Sequence, residues 1–90
     1  MKLKVSTKSN VKKVAGSIAK CVRIKKENED ITIQSVGAGA VNQTVKSIGI
    51  AREYLKEDNL DISTLISFVD VEFGEKTETA ILFTLEVKNV

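Results

Sequence analysis

Apolar and polar positions along the chain follow two different periods. Leu3-Lys4-Val5 alternates briefly and gives way to the polar run Ser6-Thr7-Lys8-Ser9-Asn10, which predicts a short strand and a loop. From Val11 the apolar residues fall at Val11, Val14, Ala15, Ile18, Ala19 and Val22, one face of an amphipathic helix. Ser9 or Asn10 is placed to cap it, and Lys25 and Lys26 suit its C-terminal dipole. Asn28-Glu29-Asp30 reads as a turn, and Ile31 to Val36 as a strand with β-branched residues at alternate positions. Gly37-Ala38-Gly39-Ala40 interrupts the pattern before Val41, Val45, Ile48, Ala51 and Leu55 repeat at helical spacing as far as Glu57-Asp58-Asn59. Ile62 to Phe73 is β-branched and aromatic. Its apolar positions run 62, 66, 68 and then 69, 71, 73, and this change of phase at Phe68-Val69 predicts a bulge or bend. Gly74-Glu75-Lys76-Thr77 makes a hairpin turn, and Ile81, Phe83, Leu85 and Val87 alternate as a last strand.

The predicted order is β-α-β-α-β-β. The first β-α-β unit calls for two parallel strands and the terminal hairpin for antiparallel ones, giving a mixed four-stranded sheet. Each helix has a single apolar stripe, so both are expected on one face of that sheet, as an α/β two-layer sandwich. Ninety residues fit a single domain spanning 1–90.

Composition narrows the chemistry. There is no His, so the usual neutral-pH acid/base and metal ligand is missing, and one Cys excludes an internal disulfide and a multi-thiolate zinc site. Cys21 reads as a structural thiol in the first helix. Asp58, Asp61 and Asp70 are scattered and have no partner that spacing can assign. No enzyme, metal or cofactor is therefore expected. No apolar run approaches the ~20 residues of a membrane span, and no signal peptide follows the basic start, so a cytoplasmic location is expected.

Charge changes the picture more. The net charge of +2 divides into +9 over residues 1–26, with no acid, and −7 over residues 27–90. Such a split points to an anionic partner for the first segment. In parallel β-α units the strand-to-helix loops share one sheet edge, where ligands prefer to bind. Here those loops are residues 6–10 and 37–40, each leading into a helix N-terminus that attracts anions. The candidate phosphate-binding residues are Lys8, Ser9, Lys12 and Lys13 at the first, and Gly37, Gly39, Asn42, Gln43 and Lys46 at the second. A Gly-x-Gly pair also serves simply to let a loop turn or a helix approach a strand. Lys outnumbers Arg 12 to 2. That ratio suits phosphate contact better than base reading, so any binding to DNA or RNA is expected to be weakly sequence-specific and salt-sensitive. The four aromatics, Tyr54, Phe68, Phe73 and Phe83, show no stacking platform in the sequence. The opposed charges also fit a protein-interaction or assembly module.

Leu3-Lys4-Val5-Ser6, Lys8-Ser9, Val14-Ala15-Gly16, and above all Gly37-Ala38-Gly39-Ala40-Val41-Asn42-Gln43 with Val45-Lys46 and Ile50-Ala51-Arg52, resemble the stage V sporulation protein S (SpoVS) family over nearly the whole chain. The resemblance implies an Alba-like β-α-β-α-β-β fold, a homodimer, nucleic-acid binding, and a small bacterial regulator affecting sporulation and septation. Members commonly have Pro after the Lys-Ser pair; here Asn10-Val11 stands there, and Asn10 can take over the capping. Alba proteins also use a basic residue near the start of the second helix and a basic hairpin arm. This chain has Ala38 and Ala40 at the first and Glu72, Glu75 and Glu78 against Lys76 at the second, which disfavours clamping of duplex DNA.

Overall fold

A computed structural model describes all residues, Met1–Val90. The chain runs β1 (Lys2–Val5), α1 (Val11–Ile24), β2 (Ile31–Ser35), α2 (Ala38–Leu55), β3 (Leu60–Phe73) and β4 (Lys76–Asn89), with a 3-10 turn at Lys56–Asp58. The sheet order is β1-β2-β4-β3, with β1 and β2 parallel and the other two pairs antiparallel. This is the expected mixed four-stranded sheet in an α/β sandwich.

Local chemistry sets the boundaries. Asn10 caps α1, its Oδ1 accepting from the Lys13 N–H at 3.1 Å. Gly37 precedes α2 at φ +89°, a conformation that strains an L side chain, so it lets β2 turn directly into the helix. The second loop is thus shorter than residues 37–40: Gly39 and Ala40 already lie in the first turn of α2. Asn59, left-handed at φ 55°, redirects the chain from the 3-10 turn into β3.

Alternation decides which strand residues face the helices. Val5, Ile31, Ile33, Ile62, Phe83 and Leu85 meet Ala15, Ile18, Ala19 and Val22 of α1 and Ile48, Ala51 and Leu55 of α2 in one buried cluster. Three polar side chains are buried there, and each is bonded. The Thr44 hydroxyl donates to the Ala40 carbonyl at 2.9 Å, so the Ser35 hydroxyl, 2.6 Å away, donates to Thr44 and ties the end of β2 to α2. Ser47 donates to the Gln43 carbonyl at 2.7 Å.

The expected bulge at Phe68-Val69 is absent. β3 and β4 pair one for one from Leu60↔Asn89 to Phe73↔Lys76. The change of phase has another cause. β2 pairs with β4 only over residues 81–85, so the outer part of the hairpin is a two-stranded arm beyond the rest of the sheet. The first phase belongs to the part of β3 whose partner β4 is still paired with β2, and the second to the arm, where the apolar residues lie on the open face and Asp70 and Glu72 on the helix side. Ile66 and Phe68 face the helix side and Val69, Val71 and Phe73 the open side. The arm closes through Gly74 and Glu75, with Gly74 at φ +62°.

Candidate functional site

The parallel pairing of β1 and β2 sets Val5 beside Ser35, so the two strand-to-helix connections leave the sheet side by side. Side chains then lock them together. A Cβ at Gly39 would lie 2.6 Å from Thr7 Oγ1, 3.0 Å from Cγ2 and 3.3 Å from Cβ, the whole Thr7 side chain. Gly39 is therefore required for close approach of the residue 6–10 loop to α2. The Gln43 carboxamide donates to the Ser9 carbonyl at 3.0 Å. Within the loop, the Ser6 N–H donates to Ser9 Oγ at 2.9 Å, and the two hydroxyls lie 3.3 Å apart.

These contacts divide the predicted residues into three groups. Gly37, Gly39 and Gln43 shape and brace the edge. Lys12, Lys13, Asn42 and Lys46 are exposed on the two helices; Lys46 is eight residues into α2, about 12 Å along its axis from the edge. Lys8 and Ser9 line an open cleft of about 510 Å³ together with Lys4, Val5, Ser6, Thr7, Gln34, Val36, Val71 and Phe73.

Sequence reasoning missed Lys4, Gln34, Val71 and Phe73. Lys4 and Gln34 are register partners on the open sheet face, a pairing that the alternation of β1 hints at. Val71 and Phe73 carried no such signal. They sit on β3, the edge strand opposite β1, and a flat sheet would hold the two edges about 14 Å apart. The twisted arm instead curls across the open face. Ala80, which alternation puts on that same face, is fully buried, as the inside of such a curl requires.

Electrostatics sets this edge apart. Both arginines are committed elsewhere: Arg23 to Asp58 at 2.9 Å and to the Tyr54 carbonyl at 3.3 Å, and Arg52 to both Asp61 oxygens at 2.8 and 3.0 Å. Hydrogen bonding from Arg52 and from the Ile62 N–H holds the Asp61 carboxyl down at about 2, and the same contact raises the Arg52 guanidinium. Lys4, Lys8, Lys12 and Lys13 make no ion pair, and the first turns of both helices carry no acid. No group of three or more His, Cys, Asp or Glu side chains could hold a metal ion, and no helix is long and apolar enough to cross a membrane. Cys21 is an unpaired, half-buried thiol.

A two-layer α/β sandwich with a basic loop edge and a projecting hairpin is the class that fold and site define. Residues 1–88 match the family model of stage V sporulation protein S (SpoVS), and the chain belongs to that family. Membership suggests a sporulation-related role.

Proposed function

We propose that the protein is a non-enzymatic regulator that binds nucleic acid through its phosphates at the β1–α1 edge. The observation that carries this reading is the set of unpaired lysines, Lys8, Lys12 and Lys13, at one end of the sheet where two acid-free helix N-termini begin. Backbone N–H groups at such ends and mobile ammonium groups together suit phosphate, and they position a nucleic acid without reading its bases. Asn42 and Lys46 extend the same polar surface along α2. Fluorescence anisotropy with labelled DNA and RNA over a salt series tests the reading. Binding that weakens steeply with salt, and that at low salt is weaker in the chain carrying Lys8→Ala, Lys12→Ala and Lys13→Ala together, supports it. No binding to either nucleic acid at low salt overturns it.

A second reading has its own observation. Ile66 and Phe68 are 55% and 75% exposed on the helix-side face of β3, the edge strand. Exposed apolar area of this kind marks a surface for another protein, and a second copy of the chain is the occupant proposed here, in a homodimer. If the protein instead serves as an interaction or assembly module without nucleic acid, a pulled-down partner remains bound after the three lysines are removed.

A further inference from the structure

The cleft beneath the curled arm has two unlike walls. One is the β1–α1 loop with Lys4 and Lys8; the other is Val36, Val71 and Phe73. Its ten lining residues include two lysines and no acid, although the arm that closes it carries Asp70, Glu72, Glu75 and Glu78. Phe73 is 51% exposed and belongs neither to the core cluster nor to the residues packed against it. The volume of about 510 Å³ lies in the range of sites for a single small molecule.

We propose that this cleft seats one unpaired nucleotide of a single strand, its base against Phe73, Val71 and Val36 and its phosphate at Lys4 and Lys8. The inference rests on the nucleic-acid reading above and deepens it by choosing the single strand over the duplex. Charge complementarity carries the assignment. A ligand entering here needs an anionic group at one end and a flat or apolar body at the other, and a nucleotide has both. Gln34, on the floor between the walls, offers both a donor and an acceptor to a base edge. A duplex keeps its bases stacked inside and presents phosphate on both flanks. Laid across the same edge, it would bring phosphate against the carboxylates of the arm. A single strand splays a base out and passes its backbone along the lysine side only.

The chain has no Trp, so Phe73→Trp installs a unique fluorescent reporter. Its emission is read while the protein is titrated with a single strand of about 12 nucleotides and with the matching duplex. The expected result is quenching by the single strand and none by the duplex. In parallel anisotropy measurements Phe73→Ala weakens single-strand binding about tenfold and leaves duplex binding within about twofold. Circular dichroism of Phe73→Ala confirms that the fold is retained. If strands bind and depend on Lys12 and Lys13 while the emission of the Phe73→Trp variant does not respond, the cleft assignment is overturned and the phosphate reading stands. Equal losses for single strand and duplex in Phe73→Ala overturn it in the same way. If neither nucleic acid binds at low salt, both readings fall.

Discussion

Gly39 and Thr7 show how one absent atom holds the site together. Any side chain at 39 collides with the whole of Thr7, so Gly39→Ala forces the residue 6–10 loop away from α2. Overpacking of this kind costs about 1–3 kcal/mol, and the cost should appear as a lower urea midpoint. Thr7→Gly in the same chain removes the colliding atoms and should restore most of the loss. If Gly39→Ala alone leaves the midpoint unchanged, the close approach has no energetic weight. Gln43 acts on the same loop through the Ser9 carbonyl, so two of the residues that look like ligand contacts in the sequence are braces for the residues beside them. Lys8 and Ser9 are where they are because of them.

Between elements, ion pairs and an open strip of hairpin have separate consequences. Arg52 on α2 grips Asp61 at the start of β3 with both carboxylate oxygens, and Arg23 on α1 reaches Asp58 in the connection between them. The Asp61 carboxyl titrates at about 2 in the folded chain, below its ordinary 3.8. A depressed carboxylate stabilises the fold above its unfolded value and loses that contribution as pH falls through its folded one. Comparing urea midpoints of the natural chain and Asp61→Asn should therefore show a gap that is full above pH ~4 and closes towards pH ~2. A gap independent of pH would mean that the ion pair is not its source. The exposed helix-side face of β3 has a different role. Phe68 contributes nothing to the core of one copy, so Phe68→Asp should convert a dimer to a monomer in sedimentation velocity while leaving the circular dichroism of the fold unchanged. A natural chain that sediments as a monomer at micromolar concentration overturns the homodimer.

For the molecule as a whole, net charge conceals the relevant quantity. The value of +2 is nearly neutral, yet the lysines of one sheet edge are unpaired while both arginines are neutralised by carboxylates. Long-range attraction of a polyanion follows the local field, which salt screens within about 8–10 Å. Each lysine that neutralises a phosphate should contribute about 0.7–0.9 to the slope of log affinity against log salt concentration. Replacing Lys8, Lys12 and Lys13 by Ala should flatten that slope by about 2–3 in binding titrations. An unchanged slope with the same affinity would place the contacts elsewhere on the surface. The acidic arm works in the opposite sense, and the proposed single strand would keep its backbone on the lysine side, away from those carboxylates.

Element order, the faces of both helices and the sharing of one edge by two loops were legible from the residues alone, because these depend on periodicity and on connection rules that are local. Asn10 as a cap and Gly74 in a tight turn were legible for the same reason. The missing bulge was not. An apolar pattern that changes face looks like a kink when one strand face is taken to be buried throughout, and only the tertiary structure shows that the outer hairpin turns its open face inward instead. The cleft was equally out of reach. Lys4 and Phe73 are 69 positions apart, on opposite edge strands, and no local rule brings them together. The twist that curls the arm over the open face is a cumulative property of paired strands, and it decided that the positive loop and an exposed aromatic share one opening.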